Sequence, residues 1–417
     1  MFKCAFCTLG CKVNQCESEA LRAELEEAGF QTVPFSEKAD VYIINTCSVT
    51  MEAERKSRQM VRRCKKLNEN ARVFVTGCAA QRAPKEFFDL DGVTLVAGNR
   101  EKYELKRMIL ENATGIFAGD ISQKCVFQGS EASVSEKTRA FIKVQDGCNN
   151  FCSYCIIPYL RGRECSRDLD SILRECEALT EKGYREIVLT GIHLSSYGKE
   201  TGMDLGDLVT EIAKIKNVGR LRLGSLEPNV ITREFMDKVS SVKGFCPHFH
   251  LSLQSGSDAV LKRMNRHYTA SEYLRAVELL REYYPLASVT TDIIAGFAGE
   301  TDREHRETLE FIKKVGFSFV HVFPYSERAG TVGAKMPQQV LKETRDERAR
   351  ELIEEAKRES VRYRQQFVGK TVEVLTEDRD RGITREHVEV TFKEKTEANK
   401  IINVKIIGLS EEGFLGE

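Results

Sequence analysis

Six short β-rich runs alternate with helix-length segments through the middle of this 417-residue chain, and the alternation limits its fold more than any other feature. The runs are Phe141 to Val144, Ile187 to Thr190, Leu221 to Leu223, Phe249 to Leu253, Val289 to Ile294 and Phe319 to Phe323. The stretches between them, such as Leu169 to Lys182 and Ser257 to Tyr283, are long enough for crossover helices, which predicts parallel βα units. Leu274, Val277 and Leu280 recur at helical spacing within the second stretch. Units of this kind gather functional groups at the carboxyl ends of their strands.

The cysteines form two sets and a remainder. Cys148, Cys152 and Cys155 stand as CxxxCxxC directly after the first of those runs. Three thiolates on one tight loop suit one face of a [4Fe-4S] cube, leaving the fourth iron open to a small molecule. A structural zinc site closes with four ligands, and no fourth cysteine follows at ferredoxin-like spacing, because the next is Cys165. A zinc site or a chance grouping is the alternative that spacing leaves. The second set is dispersed. Phe2 to Thr8, Val41 to Asn45 and Val73 to Thr76 read as buried strands that run into Cys11, Cys47 and Cys78. Ligands of an open parallel sheet sit outside its strand ends, so these three are expected to meet, although spacing alone would also suit cysteines acting as small apolar residues. Cys4, Cys7 and Cys11 make a competing CxxCxxxC, with Cys16 beyond it, but strand alternation puts Cys4 and Cys7 on opposite faces. Cys64, Cys125, Cys165, Cys176 and Cys246 have no partner at ligand spacing and read as packing or surface residues.

Composition excludes several classes. Lys+Arg and Asp+Glu both number 63, so whole-chain charge cannot drive polyanion binding. Fourteen cysteines are too few for a disulfide scaffold, and no apolar run is long enough to span a bilayer. Met1 to Cys11 lacks a signal-peptide layout, so the expectation is a cytoplasmic protein with reduced thiols and no membrane partner. Length predicts two or three domains, placed at 1–126, 139–368 and 369–417 with a linker at 127–138.

Cys148 to Cys155, with the six βα units, resembles the radical S-adenosylmethionine (SAM) enzymes. The resemblance implies a partial (β/α)6 barrel whose cluster holds SAM at its open iron. It also implies that Tyr154 packs near the adenine, that Gly191, Gln254 and Ser255 face SAM, and that Gly296 lines the adenine side. A glycine after a strand also makes an ordinary βα turn. Thr8-Leu9-Gly10-Cys11-Lys12-Val13-Asn14-Gln15, Asn45-Thr46-Cys47, Thr76-Gly77-Cys78-Ala79-Ala80-Gln81 and Asp146 through Arg163 resemble the methylthiotransferases, along essentially the whole chain. That family implies two [4Fe-4S] clusters, one on Cys11, Cys47 and Cys78 and one on Cys148, Cys152 and Cys155, with all six cysteines catalytic. The second cleaves SAM to a 5′-deoxyadenosyl radical; the first holds the sulfur that becomes methylthio. An electron donor such as flavodoxin or ferredoxin and a sulfur source are implied partners. Gly-Cys-Lys-Val-Asn is most like the branch acting on N6-threonylcarbamoyladenosine in tRNA, so Lys12 and Val13 carry the substrate assignment. Isopentenyladenosine or a ribosomal protein is the nearer alternative, and an iron–sulfur electron carrier or RNA-binding module the farther one.

From about Lys370, Thr371 to Leu375, His387 to Phe392 and Ile401 to Ile407 alternate as short strands of a small barrel. The segment resembles the OB-like TRAM module, yet residues 370–417 hold eight Lys/Arg against eleven Asp/Glu. The expected fold class is therefore α/β, with an open parallel N-terminal domain, a partial (β/α)6 barrel and a C-terminal β-barrel. Two basic segments are candidates for gripping the tRNA anticodon arm: Arg62 and Arg63 on a helix after Cys47, and Arg362 and Arg364 ahead of the third domain. A solvated helix face is the bland reading of both.

Overall fold

A computed structural model describes residues 2–122, 127–129 and 138–417. Most of the expected linker and Cys125 lie outside the described residues. The chain divides into two compact units, one comprising residues 1–135, 143–171 and 326–331, the other residues 136–142, 172–325 and 332–417.

In the first unit, strands β1 (Lys3–Thr8), β2 (Gln31–Thr32), β3 (Val41–Thr46), β4 (Arg72–Gly77), β5 (Val93–Ala97) and β6 (Gly115–Phe117) form one parallel sheet in the order β2-β1-β3-β4-β5-β6. Helices α1 (Lys12–Glu27) and α5 (Leu105–Leu110) cover one face, where Leu21, Leu25, Leu105 and Ile109 meet Val41, Ile43 and Phe74. Helices α2 (Met51–Leu67), α3 (Cys78–Arg82) and α4 (Pro84–Phe88) cover the other, against Tyr42, Ile44, Val73 and Val75. Cys4 packs into the first of these layers and Cys7 into the second, as strand alternation requires. The CxxxCxxC loop belongs to this unit. It follows β7 (Arg139–Asp146) and is closed by α6 (Ile157–Arg161) and β8 (Cys165–Ser166), whose Cys165 pairs with Asp146. Cys165 is buried and disulfide-bonded, which departs from the expectation of a plain packing residue in an all-thiol chain.

The second unit carries the remaining βα repeats. After α7 (Leu169–Glu181) come β9 (Glu186–Gly191), α8 (Leu205–Ala213), β10 (Arg220–Leu223), β11 (Ser225–Leu226), α9 (Arg233–Ser240) and β12 (His248–Leu251). They are followed by α10 (Asp258–Arg263), α11 (Ala270–Tyr283), β13 (Ser288–Ala295), α12 (Asp302–Val315) and β14 (Phe319–Pro324). Strands β9 and β10 pair in parallel, as do β11-β12-β13-β14. The stretch Ser257 to Tyr283, long enough for crossover helices, holds two of them. Asn265 turns left-handed between them at φ 57°, and Thr269 restarts the chain with a capping box to Glu272.

The long helix α13 (Lys342–Gln365) leads into a closed five-stranded barrel of β15 (Thr371–Thr376), β16 (Arg381–Thr384), β17 (Glu389–Phe392), β18 (Ile401–Leu409) and β19 (Phe414–Gly416). Tyr363 and Phe367 enter that barrel's own core beside Val390, Ile406 and Phe414. The barrel is further fixed to β10. Arg220 donates to the Ile383 carbonyl and Glu373, and Arg222 to the carbonyls of Thr384 and Arg385. Fully buried Glu186 takes Arg222 at 2.6 Å. Burial would raise the Glu186 carboxyl, but Arg222, Arg139 and Arg220 hold it below its usual value. Among the described residues no helix is long and apolar enough to cross a membrane.

Removing Glu186 takes away the carboxylate that pairs with the buried Arg222 guanidinium. Glu186→Ala is expected to lower stability in urea by about 3–5 kcal/mol, whereas Glu373→Ala at a partly exposed carboxylate costs about 1 kcal/mol or less.

Candidate functional site

Strands β1, β3 and β4 end side by side, and each delivers a cysteine. Cys11 caps α1, Cys47 follows β3, and Cys78 opens α3. In this strand order the topological switch point lies between β1 and β3, the position where open α/β sheets bind ligands. Side-chain amides join the three ends. Asn14 Nδ2 donates to the carbonyls of Leu9 (2.8 Å) and Thr46 (3.0 Å), Asn45 Nδ2 to the Asn14 carbonyl (3.0 Å), and Thr46 Oγ1 to the Thr76 carbonyl (2.6 Å). Close approach excludes side chains at two turns. A Cβ at Gly10 (φ +95°) would fall 2.7 Å from Cys47 Sγ, and one at Gly77 (φ +94°) 2.4 Å from the Thr46 carbonyl. The thiols sense one another. Desolvation raises the Cys47 thiol to about 11, with charge on Cys78 and Cys11 adding to it; desolvation also raises Cys11, against Arg161 and together with Cys78.

The second cysteine set sits on a loop tied at its base. Cys148 N–H donates to the Gly162 carbonyl at 3.1 Å and Cys155 N–H to the Cys152 carbonyl at 2.9 Å. Gly147 (φ +71°) is required there, since a Cβ would fall 1.9 Å from the Arg163 carbonyl. Cys152 is buried; Cys148, Tyr154 and Cys155 are half-buried. Phe151 stands edge-on to Tyr159 at 5.5 Å and beneath Arg163 at 5.0 Å.

A buried ionic group connects the two sets. Glu17 of α1 takes Arg161 (2.5 Å), Lys102 (2.5 Å) and Lys143 (2.9 Å); Asp146 takes Lys143 and, at 3.4 Å, Arg161. Arg161 Nη2 also donates to Asn14 Oδ1 at 2.5 Å, and that oxygen lies 3.9 Å from Cys11 Sγ. Asn99 bridges on the other side, from the Leu160 carbonyl (2.7 Å) to Cys78 Sγ (3.7 Å). Burial would raise Glu17, yet the three cations hold it well below the usual carboxylate range. A second ionic group lies beside Cys47. Glu54 accepts from Arg58 (3.0 Å), Arg82 and Arg328 (2.6 Å), and Arg328 also reaches Ser48 Oγ (3.0 Å). Burial opposes ionisation there too, but the hydrogen bonds of Arg82, Arg328 and Arg58 bring Glu54 to about 2. Of these ionic residues only Arg58 had a role expected from sequence, as one of the basic residues from Arg55 to Lys66 expected to grip tRNA, and its guanidinium is instead taken by Glu54 and Glu86. For the rest, Lys143, a charge inside an otherwise apolar strand run, was the available signal.

The expected SAM contacts of the second unit are all at strand ends. Gly191 closes β9, and Gln254 follows β12 in a left-handed conformation (φ 71°), bonded through its backbone to Asp292 and Ile294. Ser255 requires correction: its hydroxyl is buried 3.2 Å from Thr308 Oγ1 of α12, because Gly256 brings the loop hard against that helix, so it packs instead of facing a ligand. Gly296 (φ +71°) has no room for a Cβ, which would fall 2.3 Å from Arg345 Cγ. Its N–H donates to Glu300, a carboxyl that burial pushes up to about 7 against Arg348.

The RNA candidates separate. Arg62 and Arg63 are exposed on α2 and have no ion pair among the described residues. Arg364 is the second correction: it is buried, and its guanidinium is occupied by the carbonyls of Ser410, Glu411 and Gly413. Arg362 is exposed but paired to Glu359 at 2.5 Å.

Comparison with known proteins agrees with this layout. The Radical SAM superfamily model matches residues 142–312, and the model described as uncharacterized protein family UPF0004 matches residues 3–98. The threonylcarbamoyladenosine tRNA methylthiotransferase MtaB of Aquifex aeolicus is 37% identical over 97% of this chain and 100% of its own. That of Thermotoga maritima is 39% identical over 98% and 95%. The chain belongs to the radical SAM methylthiotransferase family. A tRNA-2-methylthio-N(6)-dimethylallyladenosine synthase of Clostridium novyi is 34% identical over 98% of this chain and 95% of its own. Among solved structures, the radical SAM methyltransferase TsrM of Kitasatospora setae shares the fold, with a TM-score of 0.59 at 17% identity over 80% of this chain and 75% of its own.

Family membership implies SAM and a [4Fe-4S] cluster. Among the described residues no three His, Cys, Asp or Glu side chains close around a single ion. A cube bound at three separate irons spaces its thiolates more widely, and the CxxxCxxC loop, whose backbone is held at its base while Cys148 and Cys155 are half-buried and Cys152 is buried, fits that demand.

Gly77→Ala forces a left-handed residue and a backbone clash, and is expected to cost about 1–3 kcal/mol in denaturant. Glu54, depressed from 4.5 to about 2, contributes stability that is fully present above pH 4.5 and lost as pH falls towards 2. Glu54→Gln should therefore flatten the acid limb of the stability–pH curve over that window.

Proposed function

We propose that this protein adds a methylthio group to C2 of N6-threonylcarbamoyladenosine at position 37 of tRNA, in the cytoplasm. The observation that carries the reading is its chain-long similarity to enzymes of that name, together with two three-cysteine sets inside one compact unit. On this reading Cys148, Cys152 and Cys155 hold the SAM-binding [4Fe-4S] cluster, and Cys11, Cys47 and Cys78 hold a second one. When bound, these groups supply the radical and sulfur chemistry that an unactivated aromatic C–H demands, given an electron donor such as flavodoxin or ferredoxin and a sulfur source.

The chain's own work is holding and recognition. A cluster takes its cysteines as thiolates, so its uptake at Cys11, Cys47 and Cys78 releases protons. Gln254 and Gly296 present backbone at strand ends for SAM. Tyr154 offers a ring beside the cysteine loop for the adenine. Lys12, exposed in the first turn of α1 next to Cys11, is a cation suited to the carboxylate of the threonylcarbamoyl group, which a dimethylallyl group lacks; Val13 is buried and packs. The C-terminal barrel is read as a TRAM-type module. Arg62 and Arg63, free of carboxylates, grip backbone phosphates of the anticodon arm while the target base unstacks.

The test is nucleoside mass spectrometry of tRNA incubated with anaerobically reconstituted protein, SAM, sulfide and dithionite. A gain of methylthio on threonylcarbamoyladenosine is expected, and gain on isopentenyladenosine instead would transfer the substrate to the alternative. Cys152→Ala should abolish 5′-deoxyadenosine formation, whereas an electron carrier would form none at the outset. Arg62→Gln with Arg63→Gln should weaken tRNA binding at low salt and reduce the salt-dependence slope by about 2; an unchanged slope removes that patch from the interface.

A further inference from the structure

The buried group around Glu17 does not balance. Glu17 and Asp146 bring two negative charges, and Lys102, Lys143 and Arg161 bring three positive ones. All of them but the partly exposed Asp146 are buried; the Arg161 side chain is only 1% exposed. An uncompensated charge in such a place is strongly disfavoured. The surplus registers on Lys102, which burial, together with Arg161 and Lys143, brings down to about 8. Arg161 also has an unused donor. Its two Nη atoms are taken by Glu17, Asp146 and Asn14, while Nε is buried without an acceptor among the described residues. The other charges that act on this guanidinium are those of Cys78 and Cys11.

We propose that Arg161 is the counter-ion of the iron–sulfur cluster held by Cys11, Cys47 and Cys78, giving it the surplus positive charge and the free Nε–H donor. The inference rests on the two-cluster reading above. A [4Fe-4S] core of charge 2+ on three thiolates carries one net negative charge, which cancels the surplus. Net charge and hydrogen bonds to sulfur set the reduction potential of such clusters, so Arg161 makes the one-electron reduced form easier to reach. Arg161 stands in α6, the helix immediately following the other cysteine loop, so one loop supplies SAM-side ligands and the counter-charge for the neighbouring set.

The test uses full-length protein with Cys148, Cys152 and Cys155 changed to Ala, reconstituted with iron and sulfide, and titrated with dithionite under electron paramagnetic resonance. Arg161→Gln on this background should lower the equilibrium constant for reduction at least tenfold, a midpoint lower by 59 mV for one electron. Arg161→Lys, which keeps the charge, should retain most of the parent midpoint. Arg161→Gln also removes the hydrogen bonds to Glu17 and Asn14 and should lower the unfolding temperature of the apo protein, a loss that a structural role alone would produce, so the midpoint is compared only between samples at full iron content. An unchanged midpoint at full iron content overturns the proposal, as does equal loss of iron in the Gln and Lys variants. Loss of iron in the Gln variant alone supports it. Fewer than four irons per chain in the parent triple variant instead overturns the two-cluster reading.

Discussion

The pairing of Glu17 with Arg161 is the constraint on which the first unit depends. One carboxylate on α1 gathers cations from three places: α6, the β7 strand through Lys143, and Lys102 ahead of α5. Each of these charges is costly to bury alone, and a network of this kind is tolerable only when nearly all its members are in place. The first cysteine's helix and the second cysteine set's helix are thereby attached to the same node. Their relative position is fixed by short, charge-assisted hydrogen bonds together with the apolar contact of Ile156 and Leu160 on Cys78, and Asn14 and Asn99 extend the control to Cys11 and Cys78 themselves.

Strand order explains why three cysteines so distant in sequence can serve one site. β1, β3 and β4 are consecutive neighbours in register, with Thr8 opposite Asn45 and Asn45 opposite Thr76. Three turns that begin at one level of a sheet deliver their first residues to one place. The closeness then excludes side chains at Gly10 and Gly77, where any Cβ would strike Cys47 or the Thr46 backbone. The glycines next to the cysteines are a consequence of that crowding.

Periodicity and spacing made the frame legible. All six central strands, the three cysteine-bearing strands and three strands of the C-terminal barrel lie where apolar runs place them, because strand identity is written in local pattern, whereas β16 and β19 of that barrel are too short to show one. Cys148, Cys152 and Cys155 stood out by spacing, whereas Cys11, Cys47 and Cys78 were grouped only through the strand ends before them and the motifs around them. What sequence could not disclose is which polar residues turn inward. Arg364 sits in a basic helix segment and looks like a phosphate ligand, yet its guanidinium fills a cage of three carbonyls. Ser255 follows a strand as a ligand-facing residue should, yet Gly256 lets helix α12 claim its hydroxyl. Lys143 and Glu17 are charged residues whose burial depends on partners far along the chain. Such assignments are tertiary facts without a local signature.

The fate of the arginines bears on how a neutral chain can engage a polyanion. Arg161, Arg220, Arg222, Arg328, Arg348 and Arg364 are all buried, committed to internal carboxylates or carbonyls. The C-terminal barrel has more acids than bases, and two of the basic residues before it, Arg358 and Arg362, are matched by Glu355 and Glu359 one turn earlier. Composition therefore overstates the positive charge available at the surface. On the reading proposed above, phosphate attraction falls to exposed cations such as Arg62 and Arg63 that no carboxylate pairs among the described residues, and phosphate attraction by itself does not select an RNA. Selectivity then falls to contacts with an unstacked base and its substituent, where a site loses binding sharply if a buried polar group is left unpaired. Weak electrostatic capture followed by strict recognition of one modified base suits a chain that must find a single nucleoside among many similar loops.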